Sequence, residues 1–179
     1  MRKKNILITG LPGTGKTTLL RKVAEELKPL HPVGFLTSEI REEGIRKGFE
    51  LVSLDGRNGL LSHVDLKSPF RVGKYSVDVK GFETFLEAIP FRGSSVGLVI
   101  IDEIGKMECL SESFKRLVRE VLDSDKLMLA TIALKGGGFV EKVKKREDVE
   151  LIEIGESNRG ALVEELVRRL GGLRNERND

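Results

Sequence analysis

Lys16 and Thr17 close the octet Gly10-Leu11-Pro12-Gly13-Thr14-Gly15-Lys16-Thr17, which meets the pattern G-x-x-x-x-G-K-[ST] at every fixed position. Each residue type has a chemical reason. Glycines let a backbone curl until successive N–H groups converge on phosphate oxygens. A helix starting at that point adds the positive end of its dipole. A lysine placed as Lys16 is reaches the β- and γ-phosphates, and a hydroxyl placed as Thr17 is suits Mg²⁺. Thr18 follows in the same turn and joins Gly10 to Thr17 as a candidate nucleotide-binding residue.

The stretch Leu98-Val99-Ile100-Ile101-Asp102-Glu103 supplies the complementary half: four apolar residues, then two acids. An acid leaving such a strand beside a phosphate-binding loop holds Mg²⁺, so Asp102 and Thr17 are the candidate metal residues. A carboxylate one position on orients a water and accepts its proton. Lys16 and Glu103 are therefore the candidate catalytic pair, and both acids are candidate nucleotide-site residues. Four cations, Lys106, Arg41, Arg71 and Arg159, are candidates for completing charge neutralisation on the leaving oxygens, and spacing selects none of them.

These residues need a scaffold that delivers them to one place. Asn5 to Thr9 reads as a buried strand, and Leu19, Leu20, Val23, Ala24 and Leu27 recur at helical spacing after the loop. Val33 to Arg41, Phe49 to Leu54 and Leu60 to Val64 read as strands with no long helix between them, and Tyr75 to Val79 leads on to Gly81. Residues 33–80 are thus an antiparallel β excursion, with turn signals over Gly44 to Gly48 and at Asp55-Gly56. Glu39 and Arg41, charged inside an apolar strand, place that excursion near the nucleotide. A short helix runs from Phe82 to Ile89, after Gly81. Val96 to Ile101 and Lys126 to Ala133 read as doubly buried strands, and Leu110 to Leu122 as an amphipathic helix between them. Val149 to Ile154 is a last strand and Asn158 to Leu170 a last helix. Alternating strands and helices imply a mostly parallel sheet covered on both faces, with ligands at the C-terminal strand ends.

The 179 residues fit one domain over residues 1–171 and a polar tail over 172–179. Lys and Arg number 31 against 28 Asp and Glu, a net charge of +3 spread along the chain, so a nucleic-acid face is not expected. The Lys142-Lys144-Lys145-Arg146 cluster reads as a solvated helix. Cys109 is the one cysteine, which excludes an internal disulfide, and it reads as a small buried hydrophobe. His31 and His63 lack zinc-ligand spacing. Met1-Arg2-Lys3-Lys4 leads directly to the first strand with no cleavage site, and no apolar run approaches membrane length. The expected compartment is the cytoplasm, with no membrane partner.

The chain resembles the THEP-type, or cancer-related, nucleoside-triphosphatases nearly end to end. The resemblance is carried by Gly10 to Thr18, by Gly34-Phe35-Leu36-Thr37-Ser38-Glu39-Ile40-Arg41, by Gly48-Phe49-Glu50-Leu51-Val52-Ser53-Leu54-Asp55-Gly56, by Lys74-Tyr75-Ser76-Val77-Asp78, and above all by Asp102-Glu103-Ile104-Gly105-Lys106-Met107-Glu108. Asn158-Arg159 is similar to the family's Asn-Arg pair, which makes both residues candidates for contact near the nucleotide base. The chain departs from the family at Lys106, often proline, and at Gly160, often an acid. The resemblance implies a RecA-like α/β core and Mg²⁺-dependent hydrolysis of several nucleoside triphosphates (ATP, GTP, CTP, UTP or TTP) to the diphosphate and phosphate. The chain also lacks the Asn-Lys-x-Asp guanine-reading motif. Two other readings compete: a small P-loop kinase, which needs an acceptor, and a nucleic-acid-associated nucleotide-binding module, which needs a basic face.

Overall fold

A computed structural model describes residues 3–178, with side chains through Arg174. Met1, Arg2 and Asp179, part of the N-terminal run and the polar tail read from the sequence, lie outside the described residues. The framework is one nine-stranded sheet: β1 (Asn5–Thr9), β2 (Val33–Glu42), β3 (Ile45–Ser53), β4 (Asn58–His63), β5 (Arg71–Val72), β6 (Tyr75–Val77), β7 (Leu98–Ile104), β8 (Leu127–Ile132) and β9 (Val149–Glu153). Their spatial order is β5-β6-β4-β3-β2-β7-β8-β1-β9. From β2 to β9 every neighbour pair is parallel, and from β2 to β5 every pair is antiparallel. The expected excursion over residues 33–80 is the antiparallel half. β2 belongs to both halves: Val33 to Phe35 pair with Val99 to Ile101 of β7, and Phe35 to Glu42 pair with β3.

Period-two alternation explains why the central strands are apolar throughout. Ile6, Ile8, Leu98 and Ile100 point to one face, under α1 (Lys16–Glu26) and α5 (Arg159–Asn178). Leu7, Val99 and Ile101 point to the other, under α2 (Val79–Glu87), α3 (Glu112–Asp123) and α4 (Phe139–Lys144). Phe82 on α2 meets Phe35 edge-on at 5.9 Å and Phe114 on α3 at 5.3 Å, which locks those helices to the sheet beneath the site.

Several boundaries differ from the sequence reading for identifiable reasons. The Gly44 to Gly48 turn is a two-residue hairpin at Glu43-Gly44, both with positive φ (49° and 76°), as tight strand reversal demands. Gly48 lies inside β3 because a Cβ there would stand 2.1 Å from the Ser62 carbonyl oxygen of β4. α2 starts before Gly81, capped by Asp78, whose carboxylate accepts from the Gly81 N–H at 2.9 Å. The loop Lys28 to Pro32 contains a 3₁₀ turn at Lys28–Leu30. β5 is too short for its sequence to announce. β7 continues past Ile101 through Asp102 and Glu103 to Ile104, because pairing with β8 resumes at Ile104 and Ile132 after an irregularity. α5 does not stop at Leu170 but runs through Gly171 and Gly172 to Asn178; Leu173 is buried with Leu170 against the α1 face, and that packing outweighs the low helix propensity of the glycines.

Candidate active site

The loop between β1 and α1 is bent by Gly10, Gly13 and Gly15, with φ of 154°, 77° and 89°. Gly15 stands at the N-cap of α1 in the left-handed region, so the N–H groups of the first turn face outward from the helix start. The Lys16 ammonium lies across the loop, donating to the Gly10 and Leu11 carbonyl oxygens at 2.7 and 2.9 Å. Thr14 donates to Leu11 O at 2.8 Å and tightens the same turn.

β7 carries Asp102 to this loop although the two strands are not neighbours; β8 lies between them. The Thr17 hydroxyl donates to Asp102 Oδ2 at 2.7 Å. The same oxygen accepts from the Thr37 N–H at 3.2 Å and from its hydroxyl at 3.3 Å, and Oδ1 accepts from the Thr131 hydroxyl at 2.8 Å. Asp102 is buried, yet both carboxylate oxygens are satisfied, which is what a buried anion requires. The donor set around Thr17 and Asp102 is a hydroxyl and a carboxylate, hard oxygen ligands that suit Mg²⁺.

Gly10, Pro12, Gly13, Gly15, Lys16, Thr17 and Thr18 line one cavity of about 470 Å³ together with Thr37, Glu39, Arg46, Asp102 and Glu103. Glu103 is half-buried. Burial, then the adjacent Asp102 charge, pushes its carboxyl above the usual range, while Lys16 pulls it down. Glu108 is buried close by; burial first, then the charges of Glu103 and Asp102, push it up to about 8 against hydrogen bonds from backbone N–H groups. A Cβ at Gly105 would stand 3.1 Å from Glu108 Oε2 and 3.4 Å from Glu103 Oε1, so the glycine makes room for two flanking carboxyls.

On the other side of the loop a groove of about 320 Å³ runs between Thr14, Thr18, Lys22 and the start of α5 at Arg159 and Gly160. Arg159 lines it. Asn158 is turned to its own loop instead: its amide donates to Glu153 O and its carbonyl accepts from Gly155 N–H, both at 2.9 Å. Of the other candidate cations, Lys106 lines a neighbouring cavity, Arg41 is tied to Glu39 and the Gly44 carbonyl on the hairpin, and Arg71 is exposed on β5. Cys109 is half-buried and packs against the core; burial pushes its thiol up to about 12, which disfavours the nucleophilic thiolate.

Sequence reasoning missed Thr37, Thr131, Arg46 and Glu108. Thr131 had a signal, as the lone polar residue in the buried run Leu127-Met128-Leu129-Ala130-Thr131-Ile132. Arg46 reaches the cavity edge from β3, donating to Tyr75 Oη at 2.8 Å and to Glu39 at 3.2 Å.

A family model described as NTPase matches residues 5–167. The chain belongs to that family. It is similar to the nucleoside-triphosphatase THEP1 of Thermotoga sp. (strain RQ2), 46% identical over 163 residues that cover 90% of this chain and 92% of that one. It is also similar to the Homo sapiens cancer-related nucleoside-triphosphatase, 38% identical over 92% of this chain and 95% of that one. Among solved structures, the crystal structure of THEP1 from the hyperthermophile Aquifex aeolicus superposes with a TM-score of 0.79 at 34% identity, covering 93% of this chain and 98% of that one. Membership accords with the P-loop α/β architecture described above. Among the described residues no helix is long and apolar enough to cross a membrane.

Proposed function

We propose that this chain hydrolyses nucleoside triphosphates to the diphosphate and inorganic phosphate in a Mg²⁺-dependent reaction that tolerates different bases. The observation that carries the reading is the 2.7 Å contact between Thr17 and Asp102, with Glu103 next in the chain on the same cavity. Backbone N–H groups from Gly13 to Thr18 bind the phosphates, and Lys16 leaves its loop carbonyls for the β- and γ-oxygens. Thr17 and Asp102 would hold Mg²⁺, which would supply neutralising charge at the phosphate oxygens. Thr37 and Thr131 fix the Asp102 carboxylate on both oxygens. Glu103 orients a water for attack at the γ-phosphorus and takes its proton. Burial raises the basicity of Glu103, which suits a proton acceptor.

Base tolerance is supported by the groove beside the loop. It is walled by Ile154, Val163 and the cations Lys22 and Arg159. Asn158 spends its amide and carbonyl on positioning that loop, which leaves stacking and charge to receive the base.

Phosphate release from ATP, GTP, CTP and UTP, each with Mg²⁺ and with excess EDTA, tests this. Release from all four within about one order of magnitude, abolished by EDTA, is expected, since groove contacts lacking paired hydrogen bonds discriminate weakly. Release from a single nucleotide, or release undiminished by EDTA, refutes it.

A further inference from the structure

Beyond the nucleotide cavity lies a second one, of about 270 Å³. The two share a wall made by Thr37, Phe49, Glu103 and Ala133. Glu103, assigned above to activate the attacking oxygen, therefore faces both. Whatever fills the second cavity lies against Glu103, the residue assigned to activate the attacking oxygen. One water needs only roughly 10–15 Å³ of such space. The walls are also wrong for a simple water channel: Phe49, Leu61, Val72 and Met107 are apolar. At the rim stand Lys106 and Lys135, both exposed. Among the described residues neither is engaged in a salt bridge. The carboxyl of Glu108 completes the lining. Burial pushes that carboxyl up to about 8, which favours its hydrogen-bond-donating form.

Apolar walls, a few convergent polar groups and two unpaired cations are the composition of a small-molecule site, and the volume limits the occupant to a small ligand. We propose that this cavity is an acceptor site, which takes a small anion with an apolar body and a hydroxyl and lets that hydroxyl replace water as the attacking group. The proposal rests on the nucleotide-site reading above. The apolar body lies on Phe49, Leu61, Val72 and Met107, and the anionic group pairs with Lys106 and Lys135. The hydroxyl oxygen forms the new bond to the γ-phosphorus as its proton passes to the Glu103 carboxylate. The bond from the γ-phosphorus to the β,γ-bridging oxygen breaks, and its electron pair leaves with the nucleoside diphosphate. The products are a phosphate ester and the diphosphate, with no oxidant or reductant required.

The test is ³¹P NMR of the full chain with ATP and Mg²⁺, alone and with each of four probes at millimolar concentration: 4-(hydroxymethyl)benzoate, 4-hydroxyphenylacetate, 3-hydroxybutyrate and glycerol 3-phosphate. A phosphate ester of at least one probe, formed as free phosphate declines, is expected. Val72→Trp fills the cavity and lowers the ratio of ester to free phosphate by about tenfold or more, the discrimination a filled apolar pocket gives. Lys135→Ala, at an exposed position, raises the KM for the probe and serves where Val72→Trp does not fold. Phosphate release with no ester from any probe overturns the acceptor site and leaves the hydrolase reading standing. Ester formation without release in the absence of a probe upholds the acceptor site and overturns hydrolysis as the principal reaction. An ester-to-phosphate ratio unchanged in both variants overturns the cavity as its location.

Discussion

Replacing Glu108 with glutamine changes how stability depends on pH, and the structure sets the size of the change. The carboxyl is buried and pushed from 4.5 up to about 8, chiefly by burial and then by the charge of Glu103. Between those values the folded chain keeps a proton that the unfolded chain has released. Stability therefore falls as pH rises through the window and levels off above its upper end. At about 1.4 kcal/mol per pH unit, the interval corresponds to a loss of up to about 5 kcal/mol, a large share of the ~5–15 kcal/mol that holds a typical domain folded. Glu103 is raised by the same burial and contributes a slope of the same sign in both proteins, so the difference between them reports chiefly Glu108. Glutamine keeps the shape and an acceptor for the backbone N–H groups while carrying no charge. Urea unfolding of wild type and Glu108→Gln from pH 5 to pH 9 measures the difference directly. The variant gains relative to wild type as pH rises, by several kcal/mol at the alkaline end. Parallel profiles refute the claim that a buried, protonated carboxyl sits beside Glu103.

Other perturbations probe the scaffold and the loop. Lys16→Ala lowers turnover by about 10²–10³, the cost of removing one preorganised charge from the transition state, and wild-type turnover in steady-state phosphate release refutes that role. Asp78→Ala removes the cap of α2, seen as the carboxylate accepting from Gly81 N–H at 2.9 Å; about 1 kcal/mol of stability is lost in thermal or urea unfolding, and no loss contradicts the cap assignment. Phe82→Ala empties a fully buried position between Phe35 and Phe114. It costs about 3–5 kcal/mol in the same assay, and a cost below about 1 kcal/mol means the aromatic cluster does not hold α2 to the sheet.

The parts of the site that the sequence displays are those built from contiguous residues. Gly10 to Thr17 is a local device whose spacing fixes its geometry, so the motif, its flanking strand and its helix are readable without tertiary information. Asp102 is readable for a similar reason, as an acid closing the most apolar run. What brings Asp102 to Thr17 is not readable: β7 and β1 are separated by β8, and only sheet order places the two side chains 2.7 Å apart. Thr37, Thr131 and Arg46 arrive from three further strands and carry no spacing relation to the loop. Glu108 lay within the Asp102 to Glu108 signature, but its burial, and hence its protonation, is a tertiary property. Strand ends were misread where packing overrides local signals. Gly48 reads as a turn residue and serves close approach to β4, and Gly171-Gly172 reads as a helix stop and is carried through by Leu173.

Glu103 activates the attacking oxygen, while nucleotide binding rests on the phosphate loop and the groove beside it. Glu103→Gln separates the two. Nucleotide affinity measured by calorimetry and single-turnover ATP hydrolysis are determined on the same preparation. Affinity stays near that of wild type and the hydrolysis rate falls by about 10²–10⁴, the range for loss of a positioned general base. Hydrolysis at the wild-type rate, with binding intact, contradicts that role.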